Sequence, residues 1–425
     1  MAKRSTKDKT IAHSYAVTKC QNCHNKDLHS VFFVGYLPPV NKLIKIGATP
    51  EQQPSYPAQM LYCDKCKLVQ LGLVVDPVIL FPKEYPYTSG TTKVLRDNFS
   101  ELSQEVSKLL RLNDGDLIVD IGSNDGTLLS NFKQKFRVLG VTPEDIGKAA
   151  IQNGIPTILK YFDKKVVLEI TKKYGRAKLV TAANVFAHID NVHDVIRAIK
   201  SLMTPDGVFI SESHYLLPLI NKLQYDTIYH EHLRYYSLAS LKILLEGHGL
   251  EVFHAKNIPS HGGSIRVYAA KKGTYKVLPT VKKMMMTEKD VVTSKKGFAN
   301  FKRKAVLSKL ALHALLLKLK KSNRRIYGIS APSRASTLIN YVGLDQDILD
   351  CVLEIKGSYK TGYYVPGTLI PILDEEKLFN DQPDYALLLS WHIASELMPK
   401  LKAKGFKGDF IVPLPIPKII KNREV

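Results

Sequence analysis

Long apolar runs are missing from this sequence, and so is a secretory signal. No segment approaches the ~20 consecutive apolar residues of a membrane-spanning helix, and the charged start MAKRSTKDKT is not followed by an apolar segment. We therefore expect a cytoplasmic protein that does not associate with membranes. The chain has 425 residues, of which 45% are hydrophobic, so it can form about two or three domains with buried cores.

Cysteine is scarce, and its arrangement excludes a disulfide framework. Four of the five cysteines form two CxxC pairs, Cys20 with Cys23 and Cys63 with Cys66. In a chain without a secretory signal we expect these thiols to be reduced. Four thiolates satisfy tetrahedral Zn²⁺ and leave no open coordination position, so the metal would stabilise a fold and not catalyse. His24 and His29 are alternative ligands, but we favour the four cysteines.

Acidic residues are outnumbered, with 39 Asp and Glu against 61 Lys and Arg and a formal net charge of +22. Such an excess can serve nucleic acids, anionic membranes or anionic small molecules. The lysines are spread along the chain, which favours a general compositional bias. We therefore expect no nucleic-acid partner.

A complete zinc-protease motif is also missing at the most reactive string in the chain, the segment Tyr229, His230, Glu231 and His232. The required second histidine of HExxH is absent, because LRYY follows His232. Histidine titrates near neutrality, so it can accept and return a proton at working pH. On these residues alone, a proton-transfer site and an ordinary polar patch both remain open.

The dinucleotide motif GxGxxG is absent, but a related strand–turn–helix pattern is present. An apolar strand at residues 117–121 runs into the turn GSNDG and then into a helix. The form is DxGxxxG, with Asp120 at the strand end, and it resembles motif I of S-adenosylmethionine (SAM) methyltransferases. The resemblance implies a SAM site that includes Asp120, Gly122, Asn124 and Gly126.

Further strands follow at the spacing of an α/β sheet, at residues 137–141, 178–183 and 207–212. Binding sites in such sheets lie at the carboxyl ends of the strands, so Asn184 and Glu212 should face the same crevice as Asp120. Methyltransferases usually have an acid just after the second strand to hold the ribose. Thr142 occupies that position here and Glu144 follows, and the sequence does not decide between them.

The second half of the chain indicates a helical linker and another α/β unit. Leu307, Leu310 and Leu317 repeat at helical spacing with lysines between them, which predicts a packed or partner-facing helix. A strand at residues 325–329 then leads into the turn SAPSRAS. Hydroxyls and backbone N–H groups at a helix N-terminus, next to Arg334, are typical of an anion site.

Together these motifs resemble the SAM-dependent C-methyltransferases of deoxysugar biosynthesis over nearly the whole chain. The shared strings are the paired CxxC, DIGSNDGTLL, IYHEHLRYYSL, HGGSIRVY, YGISAPSRASTLINYVG, YVPGTLIPI and LLLSWHIASE. The resemblance implies an α/β protein with a small zinc-binding N-terminal domain and two Rossmann-like doubly wound domains. We predict boundaries at residues 1–80 for the zinc-binding domain, 81–272 for the SAM domain, 273–322 for the linker and 323–425 for the sugar-nucleotide domain.

The same resemblance implies roles for individual residues. His232 would be the base, supported by Tyr229 and Glu231, while His230 is the rival base. The expected cofactors are SAM and structural Zn²⁺, and Thr142 and Asn184 complete the SAM site. We assign substrate binding to Tyr87, His261, Arg266, Ser333, Arg334, Thr337 and Lys360.

The expected partner is a nucleotide-diphosphate keto sugar, and the expected assembly is a monomer or a weak oligomer. The sequence departs from the family at Thr142, at the run 334–336 and at His392, where Asn is common. Three alternatives stay open: a nucleic-acid methyltransferase with a zinc ribbon, a sugar O-methyltransferase, and a binding protein without activity.

Overall fold

The structure is a computed structural model that describes residues 14–49, 51–81 and 88–425. The expected substrate residue Tyr87 lies outside the described residues. The predicted α/β class is confirmed: an N-terminal unit with a small antiparallel sheet precedes two Rossmann-like units, here called the central unit and the C-terminal unit.

The N-terminal unit is a small antiparallel sheet. Its elements are β1 (Tyr15–Ala16), β2 (His29–Leu37), β3 (Ile44–Lys45), β4 (Tyr56–Tyr62), β5 (Val69–Leu71), β6 (Leu73–Val74) and helix α1 (Pro77–Leu80). Phe32 and Val34 of β2 are buried, whereas Phe33 and Tyr36 are exposed. This alternation suits a sheet with one face on the core. Strands β2, β4 and β5 pair in that order, and β1 pairs with β6.

The central unit contains a seven-stranded sheet and the helices that flank it. Its strands are β7 (Leu117–Ile121), β8 (Arg137–Val141), β9 (Thr157–Ile158), β10 (Ala177–Ala183), β11 (Met203–His214), β12 (Arg234–Tyr235), β13 (Leu250–Ile258) and β14 (Ser264–Lys271), of which β12 lies outside this sheet. Its helices are α2 (Lys93–Leu109), α3 (Thr127–Ser130), α4 (Gly147–Gln152), α5 (Lys164–Tyr174), α6 (Val192–Leu202), α7 (Leu216–Asn221) and α8 (Leu238–Glu246).

The strand order of this sheet determines where a ligand can bind. The order is β13-β14-β11-β10-β7-β8-β9, parallel from β9 to β11, with β14 antiparallel to β11 and β13. The chain starts in the middle with β7, moves to β8 and β9, and then crosses to β10. The order therefore reverses between β7 and β10, and ligands in such sheets bind outside the carboxyl ends of the strands at that point.

Two helices connect the central and C-terminal units, α9 (Pro279–Glu288) and α10 (Lys295–Lys321). The leucines that indicated the second helix, Leu307, Leu310 and Leu317, are more than half exposed. The opposite face of α10 packs inward through Phe298, Phe301, Ala305, Leu312, Leu316 and Leu319. Within the three described ranges, no helix combines the length and the apolar character needed to cross a membrane.

The C-terminal unit repeats the doubly wound plan. Its elements are β15 (Ile326–Ile329), α11 (Ser333–Val342), β16 (Cys351–Glu354), β17 (Tyr363–Tyr364), β18 (Ile372–Asp374), α12 (Glu376–Asp381), β19 (Tyr385–Leu388), α13 (Ala394–Ala403), β20 (Asp409–Val412) and β21 (Lys418–Ile420). The sheet order is β18-β16-β15-β19-β20-β21, in which β21 is antiparallel to β20. The order again reverses beside the first strand, so the turn after β15 lies at the second crevice of the molecule.

One strand from each of the other two units pairs with a strand of the N-terminal unit. β12 pairs with β5 of the N-terminal sheet, with Arg234 opposite Gln70 and Tyr235 opposite Val69. β17 of the C-terminal unit pairs with β3 of the N-terminal unit. The boundaries drawn from the sequence stay a prediction: the division at residue 80 separates β5 from its partner β12, and β17 of the C-terminal unit is hydrogen-bonded to β3 of the N-terminal unit.

A buried arginine joins α2 to the central sheet. Arg266 is 0% exposed, and its Nε donates to Glu212 at 2.6 Å. Its Nη1 donates to Glu101 and Glu105, and its Nη2 donates to the backbone and side-chain oxygens of Asn98. All five N–H donors of the guanidinium thus have acceptors. The assignment of Arg266 to substrate binding is corrected here: its donors are used inside the fold.

The first prediction concerns this network. Arg266→Leu should lower the free energy of unfolding by about 3–5 kcal/mol, because it leaves buried carboxylates without a counter-charge. The control is Arg324→Gln, which removes an ion pair to Asp384 whose side chains are 53% and 32% exposed and should cost at most about 1 kcal/mol. Urea unfolding followed by circular dichroism measures both. Equal midpoints for Arg266→Leu and the unmodified protein would contradict the structural role.

Candidate functional site

The turn after β7 lies at the point where the central sheet reverses its order. Gly122 has φ +71°, and a Cβ added there would come within 2.2 Å of Val185 in the loop after β10. Only glycine fits this close approach of two loops. Asp120, at the end of the strand, is buried and accepts a hydrogen bond from the Thr181 hydroxyl at 2.6 Å. Burial, with the negative charge of Glu212 nearby, raises the pKa of Asp120 to about 7.

The rest of this turn is covered by a short segment that precedes α2. Asn124 and Gly126 both adopt left-handed backbone conformations, with φ +50° and +78°. The Asn124 side chain accepts a hydrogen bond from the Ser89 N–H at 2.9 Å. The Asp125 carboxylate accepts one from the Gly90 N–H at 2.8 Å. Residues 89–90 therefore line the same crevice as the glycine turn.

The two candidates for a ribose contact are found together at the end of β8. The Thr142 hydroxyl donates a hydrogen bond to the Glu144 carboxylate. Glu144 thus reaches back to the position where the expected acid was missing. Asn184, after β10, has φ +60° and donates its backbone N–H to the backbone oxygen of Glu212 at 2.9 Å. The predicted cofactor residues accordingly line one edge of the sheet.

The segment with the predicted base follows a short 3₁₀ turn, Tyr225–Thr227, and precedes β12. His232 Nδ1 lies 2.8 Å from the backbone oxygen of Thr227. A carbonyl can only accept, so Nδ1 must carry the proton and donate it. A neutral imidazole has one such proton, and Nε2 therefore keeps a free lone pair. This hydrogen bond selects the tautomer that a general base with Nε2 as its acceptor needs.

Aromatic rings surround His232. The ring centroids of Tyr229, His188 and His214 lie 4.2, 5.0 and 6.4 Å from that of His232. Burial holds the pKa of His232 well below its ordinary value, and the neighbouring imidazoles of His188 and His214 act in the same direction. His232 is therefore neutral, and able to accept a proton, throughout the neutral pH range.

Tyr229 and Glu231 differ in their surroundings. Burial raises the pKa of Tyr229 well above its ordinary value, so its phenol stays protonated and can donate a hydrogen bond. The Glu231 carboxylate accepts from the Asn41 side chain of the N-terminal unit at 2.6 Å. The backbone of Thr227 bonds to Nδ1 of the base, so the support that Glu231 would give to His232 stays a prediction.

The rival base His230 faces the N-terminal sheet. Its Nε2 lies 3.3 Å from the backbone oxygen of Pro57, and its ring packs edge-on against Tyr56 at 5.8 Å. Burial lowers the pKa of His230 to about 4. The two histidines of the string therefore point to different units, and His232 lies among the other imidazoles.

Arg334 opens the second crevice but is already paired. Its Nε and Nη2 donate to the two carboxylate oxygens of Asp226 at 2.7 and 2.9 Å. Trp391, after β19, donates its indole N–H to the same carboxylate at 2.7 Å. The sequence suggested Arg334 as a free cation for an anionic ligand. In the structure a buried carboxylate neutralises its charge on one edge, and the contact of Arg334 with a substrate stays a prediction.

The other predicted substrate residues lie around this pair. Ser333 begins α11, and the hydroxyl of Thr337, one turn further on, is buried without a hydrogen-bond partner among the described residues. His261 adopts φ +56° in the turn before β14, and burial with the nearby Arg334 charge lowers its pKa to about 4. Lys360 donates to the backbone oxygen of Ala331 at 2.5 Å, and burial lowers its pKa.

The four cysteines lie together in the N-terminal unit. Both CxxC turns have the same geometry: His24 N–H bonds to the Cys20 oxygen, Lys67 N–H bonds to the Cys63 oxygen, and His24 and Lys67 have φ +57° and +61°. All four sulfur atoms lie within 4.8 Å of one another. Tetrahedral zinc with Zn–S bonds of ~2.3 Å needs sulfurs ~3.8 Å apart, so the arrangement fits the metal.

The alternative zinc ligands have other neighbours. The His24 ring packs against that of His193 at 5.0 Å, and His29 lies 3.5 Å from Asp27. Among the described residues, the group able to hold a metal consists of the cysteines. These data favour the four-cysteine set over a set that contains a histidine.

Sequence reasoning missed several residues of the site. Thr227 contributes a backbone carbonyl, which no side-chain pattern reveals. Asp226 could have been found, because it is the acid that opens the string DTIYHEH, three residues before Tyr229. His188 and His214 follow β10 and end β11, so their positions at strand ends were the available signal.

Family models match most of the chain. A zinc-binding domain matches residues 20–81, a methyltransferase domain matches residues 94–255, and the C-methyltransferase C-terminal domain matches residues 259–415. The order agrees with the three units of the fold. The match to the zinc-binding domain covers both cysteine pairs.

Two solved structures each match less than half of this chain. The magnesium protoporphyrin IX methyltransferase ChlM from Synechocystis PCC 6803, solved with bound SAM, is 13% identical, with a TM-score of 0.32 over 42% of this chain and 79% of ChlM. The PH0226 protein from Pyrococcus horikoshii OT3 is 15% identical, with a TM-score of 0.35 over 46% of this chain and 98% of its own. Neither likeness carries an argument about activity.

A curated relative aligns along almost its full length. C-methyltransferase NovU from Streptomyces niveus is 32% identical over 410 residues, which are 95% of this chain and 97% of NovU. An alignment of this extent spans all three units of the fold. The chain therefore belongs to the C-methyltransferase family that includes NovU.

Proposed function

We propose that this protein is a SAM-dependent C-methyltransferase that acts on a nucleotide-linked keto sugar. It removes a proton from the carbon beside the ketone and methylates that carbon through an enolate. The observation that carries the proposal is the tautomer of His232. Its Nδ1 donates to the Thr227 carbonyl at 2.8 Å, so Nε2 is available as a proton acceptor.

Carbon needs such a base because it is a poor nucleophile in its protonated form. A ketone on the neighbouring carbon makes the C–H acidic enough for a neutral imidazole to remove the proton. The Tyr229 phenol, kept protonated by burial, is suited to donate a hydrogen bond to the developing enolate oxygen. Substrate alignment supplies much of the remaining rate.

The methyl donor would occupy the crevice at the glycine turn. SAM supplies an electrophilic methyl group and carries a positively charged amino group. A buried carboxyl with a raised pKa, such as Asp120, gains its negative charge most readily beside a cation. Glu144, with Thr142, is suited to accept hydrogen bonds from ribose hydroxyls. Asn184 and the left-handed turn at Gly122 and Asn124 would complete this half of the site.

The keto sugar would lie between the central and C-terminal units. The start of α11 offers backbone N–H groups, the Ser333 hydroxyl and the unpartnered Thr337 hydroxyl to a phosphate. Lys360 and His261 lie at the same crevice. Arg334 is already paired with Asp226. It would contribute the shape and the remaining donor edge of its guanidinium, and little net charge.

A single experiment tests the reaction class. The purified protein would be incubated with SAM and a panel of nucleotide-linked 4-keto sugars, and products would be detected by a mass gain of one methyl group. Acid hydrolysis should leave the methyl group on carbon. A product that loses its methyl group, or methylation of RNA and none of the sugars, would refute the proposal.

The base assignment predicts the effect of His232→Ala. Turnover should fall by about 10²–10⁴-fold, because a general base contributes that much, while SAM affinity stays unchanged. The matched control is His230→Ala, which removes the neighbouring imidazole that bonds to Pro57 and should keep turnover within about tenfold. Initial rates and calorimetric SAM binding measure both. Near-normal methylation by His232→Ala would rule out His232 as the base.

The lowered pKa of His232 predicts an unusual pH profile. A base must be neutral to act, so a lowered pKa moves the acid limb of kcat/KM to pH values below the ordinary histidine pKa of ~6.5. The rate should be flat from pH 6.5 to 8. A midpoint of the acid limb at or above pH 6.5 would contradict the prediction.

The control for this profile is reversible folding. Burial lowers the pKa of histidines such as His188 to about 4, so the folded protein loses stability as the pH falls below ~6.5. A loss of rate counts as titration of the base only if samples returned to pH 7.5 regain full activity.

Zinc is proposed as a structural metal held by the four cysteines. Atomic emission should find one zinc per chain, and Cys66→Ser should lose it and lower the melting temperature by several degrees, since structural zinc contributes folding energy. Cys351→Ser is the control. Cys351 lies on β16 of the C-terminal unit, so this variant should retain its zinc. Equal zinc contents in the two variants would disprove the ligand assignment.

A further inference from the structure

Asp226 is a fully buried carboxylate in the central unit whose donors come from elsewhere. It is 0% exposed, and it accepts two hydrogen bonds from Arg334 and one from Trp391, all between 2.7 and 2.9 Å. Both donors belong to the C-terminal unit, where Arg334 lies in the first turn of α11 and Trp391 follows β19. One carboxylate thus connects the 3₁₀ turn that follows α7 to the crevice of the second Rossmann-like unit.

The residue after Asp226 holds the base. The Thr227 carbonyl accepts the Nδ1 proton of His232 at 2.8 Å, and the Thr227 hydroxyl donates to the Gln224 oxygen at 2.8 Å. Asp226 and Thr227 both belong to the 3₁₀ turn Tyr225–Thr227. The orientation of the Thr227 carbonyl therefore depends on how firmly this turn is held. The three hydrogen bonds that Arg334 and Trp391 donate to Asp226 hold it.

Stability alone does not account for such a pair. Burying an ion pair costs desolvation that its attraction barely repays, and an apolar pair of similar volume is often as stable. The groups that face Arg334 do not offset that cost: burial, together with the positive charge of Arg334, lowers the pKa values of His214, His261 and His392, so these histidines are neutral. A charged contact kept in these surroundings indicates a geometric role.

We propose that Asp226 is a positioning residue: clamped by Arg334 and Trp391, it holds the turn whose Thr227 carbonyl keeps His232 in the Nε2-basic tautomer. The C-terminal unit thereby orients the His232 ring indirectly, through Asp226 and the Thr227 carbonyl. This inference rests on the proposed function for its kinetic consequence, and the tautomer itself can be observed without any reaction.

The first measurement uses nitrogen NMR of histidine-labelled full-length protein without substrate. The His232 signals are identified by their loss in His232→Gln. The unmodified protein should show a protonated Nδ1 and a bare Nε2, while Asp226→Ala should show both nitrogens averaged between tautomers. Unchanged His232 signals in Asp226→Ala would overturn the proposal, whatever the reaction proves to be.

The second measurement is kinetic. Asp226→Ala should lower kcat by about 10²-fold, the loss expected when a reacting group is displaced by ~1 Å, with the KM for the methyl donor unchanged. A substrate deuterated at the acidic carbon should then show a larger isotope effect on kcat, since proton removal has become slower. An unchanged isotope effect, or a loss confined to KM, would contradict the positioning role.

Milder variants keep the test decisive if Asp226→Ala does not fold. Trp391→Phe removes one donor and keeps a ring against Arg334, and should give an intermediate fall in kcat. Asp226→Glu keeps the charge and should recover part of the rate. Asp384→Asn, in the exposed pair with Arg324, is the matched control and should leave kcat and the His232 signals unchanged. Wild-type kcat in Trp391→Phe would count against the clamp.

Discussion

The segment around His232 depends on support from outside the central sheet. β12, which follows the base, pairs with β5, and the Leu71 N–H bonds to the Leu233 oxygen at 3.0 Å. In the other direction, the Leu233 N–H bonds to the Ala187 oxygen at 3.1 Å. The backbone beside the base is thus hydrogen-bonded on both sides, to the N-terminal sheet and to the loop after β10. Asn41 bonds to Glu231 in the same segment, so side chains reinforce what the backbone ladder begins.

Features determined by local spacing could be predicted from the sequence. The largely apolar strand β7 and the glycine turn after it predict a buried parallel strand and a ligand edge, because both are encoded in adjacent residues. The CxxC pairs likewise identify one four-sulfur cluster. The family follows from the order of many such motifs, and the alignment with NovU confirms the predicted C-methyltransferase family.

What could not be predicted depends on contacts between distant residues. Arg266 and Arg334 both looked like candidates for an anion, yet Arg266 meets carboxylates on α2 and β11, and Arg334 meets Asp226 from the central unit. Charge alone does not reveal whether a ligand or a carboxylate will face an arginine. Similarly, the leucine spacing on α10 predicted the helix, but the buried face is the one that carries Phe298 and Phe301.

The pairing of β12 and β17 with N-terminal strands imposes an order on folding during biosynthesis. The cysteine pairs are complete once residue 66 has left the ribosome, but β5 waits for residues 234–235 and β3 waits for residues 363–364. Domains generally fold from the N-terminus as they are made. Here the N-terminal unit instead exposes an unpaired strand edge, which can pair with other chains, until most of the protein has been synthesised. The base segment itself waits longer, because Asp226 obtains its partners only when Arg334 and Trp391 have been synthesised.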